Sequence, residues 1–422
     1  MINDGVLSRF EPLAKGLLKP IYDGYSFGNI ANTIEYLLTG ERREPLLPPD
    51  CFGGAYPVPQ KIVLFFIDAF GWQFWQQHAH RYRTTQHVMQ NGVLTPISAL
   101  FPSTTAASVA TLHYGVLPAV HAFFEWNIYI PAYGEVIQSL PFCPLGSRTS
   151  DACLAKGYDP RALTAVHDTV HQRLARHGVR SLLFSHKGYA DSAFNRIAAE
   201  GAEVFRHSTL AEALVQLKEA LERTDDTAWL NFYWGGIDAT GHTYGPGTSY
   251  HAAEIASFWR TFDDVFSGID SADTLYLFTA DHGQMYANAA DTINLNERIP
   301  ELAGHLAVGP AGNLIYPTGS PRDVFLHVKP ERREETLAAL HRHLDDVALI
   351  MPVDEALALG LFGRPTVGTE LRARLGDILI LPYAGNFIWW HEPGLLKNTL
   401  NGHHGGLTGE ELITVLGAVD RL

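Results

Sequence analysis

Basic side chains are scarce in this sequence: 31 Lys and Arg stand against 45 Asp and Glu among 422 residues, a formal net charge of −14. A polymeric nucleic acid is excluded as the principal partner, because binding a phosphate backbone needs a basic stripe. Cysteine is scarcer still, with only Cys51, Cys143 and Cys153. Three thiols at irregular spacing provide neither a disulfide framework nor a zinc-finger pattern. Long apolar runs are missing too: the opening "MINDGVLSRFEPLAKG" has no signal-type core, and no later run reaches the length of a membrane span. A cytoplasmic location is the expectation. Internal repeats and low-complexity tracts are likewise absent.

What the chain does have is 46% apolar and 18% charged residues, the composition of a folded soluble enzyme. Residues 1–60 read as short helices and loops, a lead-in packed on the core that closes on the Pro- and Gly-rich "LLPPDCFGGAYPVPQ". The core opens with "KIVLFFIDAFGW", whose unbroken apolar run suits a strand buried on both faces of a parallel sheet. "VRSLLFSHKGY", "AWLNFYWGGIDATGH" and "TLYLFTADHGQ" repeat that grammar, with helical patterns such as "RALTAVHDTVHQRLARHG" and "STLAEALVQLKEALERT" between them. Strands alternating with helices predict a doubly wound, mostly parallel α/β sheet with helices on both faces. The core is expected over 61–290 and 400–422. Residues 291–399 read as a small α+β insertion or cap, and "GHHGGLTGEELITVLGAV" as a loop and apolar run that rejoins the sheet.

In such a sheet, functional groups gather outside the carboxyl ends of the strands. Asp68, Asp238 and Asp281 each follow a predicted strand, so three carboxylates share one rim. Their mutual repulsion calls for bound cations. His242 lies four residues after Asp238 and His282 directly follows Asp281, and Asp with His is a ligand set for zinc or another first-row metal. "FPSTTAASVATLHYG" places Ser103, Thr104 and Thr105 at a helix start, where free N–H groups and the helix dipole favour an alkoxide or a phosphoryl oxygen. Singly, each feature has a plainer reading: hydroxyls as caps, aspartates as turn residues, "GHHGG" as a solvated loop. Phe70, Trp72, Trp75, Phe123, Phe124 and Trp126 read as core. Joint occurrence in one order on one rim favours a site.

The motifs "FFIDAFGW", "FPSTTAASVATLHYG", "IDATGHTYGP", "TADHGQ" and "GHHGGLTGEEL" together resemble the type I phosphodiesterase and nucleotide pyrophosphatase family of the alkaline phosphatase superfamily. The resemblance implies two divalent metal ions, zinc with manganese as the alternative. One is held by Asp238, His242 and His404, the other by Asp68, Asp281, His282 and the nucleophile Thr105. Thr105 is preferred to Thr104 because "TTAASVAT" is similar to the phosphatase pattern "DSAASAT", and His404 to His403 because it directly precedes "GGL". The implied activity is hydrolysis of a small phosphodiester or pyrophosphate substrate through a phosphothreonine intermediate, with Asn127 contacting a phosphoryl oxygen. A phosphomonoesterase or phosphonate hydrolase of the same superfamily is the alternative, and an inactive binding protein of this fold the non-enzyme alternative. Two positions depart from the family pattern, Ala106 after the nucleophile and Ala122 after His121. Both bear on nucleotide specificity and neither touches a metal ligand.

Overall fold

A computed structural model describes residues 1–269, 271, 273–363 and 367–422. Its centre is a seven-stranded sheet in the order Val93–Ser98, Ile413–Val419, Thr274–Thr279, Lys61–Ile67, Ala228–Trp234, Arg180–His186, Glu203–His207. Only Ile413–Val419 runs antiparallel to its neighbours; the remaining pairs are parallel. This is the doubly wound, mostly parallel α/β sheet that the alternation of elements predicts.

The Lys61–Ile67 strand shows why its sequence is apolar without a break. Val63, Phe65 and Ile67 face one helix layer, packing with Trp75, Trp259 and Phe262. Ile62, Leu64 and Phe66 face the other, with Ile30 and Leu174. Alternate side chains point to opposite faces, and both faces are covered. The predicted helix in "RALTAVHDTVHQRLARHG" forms only over Val170–Arg176, because Thr169 and Gln172 close a capping box that starts it there. The lead-in docks through Ile30–Thr39, whose buried Glu35 accepts from Arg173 Nε at 3.0 Å and Nη2 at 2.9 Å.

A second sheet of seven strands is entirely antiparallel, in the order Ala348–Pro352, Ile378–Pro382, Asp323–Leu326, Thr318–Ser320, Asn127–Ile130, Glu135–Gln138, Cys143–Pro144. The stretch after residue 290 supplies four of these strands and residues 127–144 the other three, so the sheet crosses the boundary expected at 290. Two short strands, Thr318–Ser320 and Asn127–Ile130, make the join at one paired position, Gly319 with Asn127.

Arg322 and Glu411, both fully buried, tie this second lobe to the core. Arg322 Nε and Nη2 donate to the Glu411 carboxylate at 2.9 and 2.8 Å, and Nη1 donates to the carbonyls of Tyr383 and Asn386. Glu411 also accepts from the Gly406 N–H at 3.1 Å. An ion pair out of water is tolerable only when its remaining donors and acceptors are used in this way. No helix among the described residues is long and apolar enough to cross a membrane.

Candidate active site

The carboxyl ends of the parallel strands deliver the expected residues to one rim. Asp68 follows Lys61–Ile67 directly, and Asp281 follows Thr274–Thr279 by two positions. Asp238 and His242 lie one turn apart on Gly236–Tyr244, the helix after Ala228–Trp234, and therefore share a face. Thr105 is the first residue of Thr105–Tyr114. His404 arrives on the glycine loop ahead of the last strand.

The three hydroxyls have separate tasks. Ser103 Oγ donates to the Gly406 carbonyl at 2.8 Å and accepts from the Gly405 N–H at 3.0 Å, fastening this turn to the His404 loop. Thr104 is the N-cap, accepting from the Ala107 N–H at 3.2 Å and donating to the Phe124 carbonyl at 3.0 Å. Thr105 Oγ1 faces the acidic rim instead, 3.3 Å from Asp68 Oδ2 and 3.3 Å from His282 Nε2.

Three histidines are oriented by backbone carbonyls. His242 Nδ1 donates to Gly402 O at 2.6 Å, His404 Nδ1 to Ser103 O at 2.9 Å and His282 Nδ1 to Gly283 O at 2.9 Å. A carbonyl only accepts, so Nδ1 carries the proton and each Nε2 turns a lone pair inward. His242 Nε2 and His404 Nε2 then stand 3.1 Å apart, with Asp238 oxygens 3.3 and 3.6 Å from them respectively. Lone pairs and carboxylate oxygens packed together repel unless a cation lies between them. Two ligands about 2.0–2.1 Å from a tetrahedral ion are about 3.3 Å apart, which the spacing here matches. Around His282 Nε2 the separations are alike: Asp281 Oδ2 at 3.1 Å, Asp68 Oδ1 at 3.6 Å and Thr105 Oγ1 at 3.3 Å. Asp238, His242 and His404 form one candidate metal group among the described residues, and Asp68, Asp238 and His282 a second. The residues present fit two cations, with Asp238 reaching both groups.

Charge is out of balance here without such ions. Burial, then the neighbouring Asp281 and Asp238, pushes Asp68 well above the usual carboxylate range, and burial raises Asp238. Burial would raise Asp281 also, but His282 outweighs it and holds it low; the same contact raises His282 against its own burial. Burial, with His282 and His242 alongside, keeps His404 neutral, the state in which imidazole binds metal.

The sequence profile of the type I phosphodiesterase / nucleotide pyrophosphatase family matches residues 62–407. The chain belongs to this family. It is accordingly a hydrolase of the phosphodiesterase and pyrophosphatase class. No curated protein matches it in sequence. Among solved structures, murine ectonucleotide pyrophosphatase / phosphodiesterase 5 is similar in fold, with a TM-score of 0.64 at 15% identity over 85% of this chain and 88% of that one. The human counterpart gives 0.61 at 14% identity, covering 85% and 87%. Phosphonoacetate hydrolase from Sinorhizobium meliloti 1021 gives 0.59 at 16% identity, covering 85% and 90%.

Within this phosphodiesterase-family site, Thr105, Asp68, Asp238, His242 and His404 line a cavity of about 790 Å³. Asn127 lines it too, but its Nδ2 donates to the Gly319 carbonyl at 3.0 Å, which commits one of its two amide hydrogens to the joint between lobes. Trp126 is 43% exposed on the cavity wall, whereas the other five aromatics expected in the core are buried. It stands in the bend just ahead of Asn127–Ile130, outside the sheet. His403 turns away from the metal groups, its Nε2 meeting Asn398 Oδ1 at 2.8 Å.

Three contributors escape a reading of the sequence. The Tyr233 hydroxyl donates to Asp68 Oδ2, and Gln284 Nε2 donates to Asp238 Oδ1 at 2.9 Å. Gln284 ends the "TADHGQ" motif and could have been found there; Tyr233 reads as one more strand residue. The third is Glu125, buried on the cavity wall, where burial pushes its carboxyl up to about 8 against the pull of the Trp126 and Asn127 N–H groups and Asp323. Burial and Glu125 likewise hold Asp323 well above the usual range.

A stability consequence follows from Glu125. In the unfolded chain it titrates near 4.5 and in the fold at about 8, so the folded state holds the proton more tightly. Its contribution is whole below the lower value and is lost as pH rises through the upper one. Thermal unfolding at about pH 5 and about pH 9 is expected to show Glu125→Gln losing less stability than the wild type across that interval. Equal losses in both proteins would refute the assignment.

Proposed function

We propose that this protein hydrolyses phosphodiester or pyrophosphate bonds by way of a phosphothreonine at Thr105, with two divalent cations, zinc or alternatively manganese, held by Asp238, His242 and His404 and by Asp68, Asp281, His282 and Thr105. The observation that carries this reading is the division of labour among the hydroxyls: Ser103 and Thr104 are spent on structure, while Thr105 Oγ1 lies 3.3 Å from an aspartate oxygen and a histidine nitrogen. Bound cations supply charge neutralisation at the phosphoryl oxygens and lower the hydroxyl pKa.

The chain's own groups do the rest. Thr105 Oγ1, its proton directed at Asp68, bonds to phosphorus as the ester oxygen departs with its electron pair and takes a proton from solvent. Water then breaks the phosphate–Thr105 bond, the hydroxyl recovers a proton and a phosphomonoester is released. The N–H groups opening Thr105–Tyr114 favour the negative charge on the transferring group. The uncommitted Asn127 amide hydrogen is assigned to a phosphoryl oxygen. Three buried free thiols suit a reducing compartment, in keeping with action in the cytoplasm on a small substrate rather than on polymeric nucleic acid.

The test is a parallel assay on bis-p-nitrophenyl phosphate, p-nitrophenyl phosphate and phosphonoacetate, with metal counted on the same sample. Fastest turnover of the diester with about two metals per chain is expected. A preference for the monoester, or for the phosphonate substrate of the Sinorhizobium neighbour, would overturn the diester assignment in favour of that chemistry.

A further inference from the structure

The cavity does not end at the metal groups. From Thr105 it continues down the nucleophile's own helix, where Ala106, Val109, Leu112 and His113 line it while Ala107, Ser108, Ala110 and Thr111 do not. Spacings of three and four residues put the lining set on one face, and that face reaches about 12 Å below Thr105. Val109 is only partly buried although packed apolar layers adjoin it on both sides. The sheet forms the opposite wall. Asn231 and Tyr233 line the cavity while the intervening Phe232 packs into the other layer, so side-chain alternation turns Asn231 toward this helix. Leu183 is paired in register with Asn231 and shares its face, since Leu182 and Phe184 pack with Phe232. On the third side Ser192 Oγ caps the helix Ala193–Ala198 and Asn195 Nδ2 donates to the Tyr189 carbonyl at 2.7 Å, so these side chains are engaged locally. None of the lining residues on these elements is charged.

Neutral polar groups close the far end. Beyond Asn231 the buried Trp229 stacks on His171, ring centroids 5.1 Å apart, and His171 Nε2 shares a hydrogen bond of 2.8 Å with His113 Nδ1. Burial lowers both imidazoles, His113 to about 4, so both are uncharged at about pH 7. His171 Nδ1 is buried with no partner. It is assigned no proton, because an orphaned N–H is rarer than an orphaned acceptor. His171 Nε2–H then donates to His113 Nδ1, which leaves the His113 Nε2–H for an occupant of the branch. Asn231 Oδ1 is buried without a partner as well, a state that costs the group its hydration unless a ligand answers it. We infer that this branch receives one organic arm of the diester, an uncharged hydrocarbon chain ending in a hydroxyl that donates to Asn231 Oδ1 and accepts from His113 Nε2. This deepens the phosphodiesterase reading and rests on it. A ribose would set its hydroxyls against Val109, Leu112 and Leu183, where nothing answers them, whereas a hydrocarbon chain leaves no polar group unpaired there.

The experiment measures kcat/KM on four diesters that share one leaving group: the p-nitrophenyl phosphates of methanol, octanol, octane-1,8-diol and the thymidine 5′-hydroxyl. In the wild type the value is expected to rise roughly tenfold or more from methyl to octyl, and about fivefold further with the terminal hydroxyl. Asn231→Leu should abolish the advantage of the hydroxyl, and Val109→Phe the advantage of the chain. Each effect is a ratio of substrates within one protein, so a partly unfolded preparation does not mimic it. A chain ester no better than the methyl ester, a hydroxyl advantage that survives Asn231→Leu, or a thymidine ester preferred to both chain esters would overturn the inference while leaving diester hydrolysis intact. Wild-type silence on all four, with metals bound, would sink the phosphodiesterase reading and this inference with it.

Discussion

Thr105→Ala is expected to abolish turnover, by on the order of 10⁴-fold or more, while metal content stays near that of the wild type. The size of the effect follows from the absence of a substitute. Ser103 Oγ is held between Gly406 and Gly405, and Thr104 Oγ1 between Phe124 and Ala107, so neither hydroxyl is available to move in. Metal retention follows because Asp238, His242, His404, Asp68, Asp281 and His282 remain. Steady-state kinetics with metal analysis on one preparation decides the matter, and trapped radiolabelled phosphate on the wild type but not on the variant would identify the intermediate. Turnover within tenfold of wild type would remove Thr105 from its role.

Asp238→Asn should cost on the order of 10³-fold in activity, since a cation contributes several kcal/mol to the stabilised charge. Asp238 belongs to both candidate metal groups, so its loss is expected to weaken both cations rather than one. The asparagine keeps an oxygen for Gln284 Nε2, so the local fold should survive. Chelation of the wild type should reproduce the defect, restored by zinc or manganese, with a lowered melting temperature because the ions bind the folded chain. Indifference to chelator, or an Asp238→Asn variant with full metal content and activity, would argue against a two-cation centre.

Much of this was legible in the sequence, and the limits have physical causes. Lys61–Ile67 was plain because burial on two faces demands an apolar residue at every position, and Asp68 followed from the rule that functional groups sit past such strands. Thr105 and His404 were separable from Thr104 and His403 only through resemblance; hydrogen bonding now shows each neighbour occupied elsewhere. The second sheet was half visible. Asn127–Ile130 and Thr318–Ser320 are too short to declare themselves, and their single paired position joins residues nearly two hundred apart. Trp126 looked like core because an indole carries no mark of whether a layer will cover it. Tyr233 and Glu125 depend on which atom faces which, a property no spacing encodes.

The antiparallel Ile413–Val419 strand has a consequence for how the enzyme comes into being. It lies inside the sheet, between Thr274–Thr279 and Val93–Ser98, and the latter leads directly to the Thr105 turn. As the chain emerges from a ribosome, the segment bearing the nucleophile therefore has no place in the main sheet until its last strand is delivered. The histidine loop arrives only just before. The nucleophile segment is thus unanchored until Ile413–Val419 has been made, and removing that strand would detach this segment rather than trim an edge.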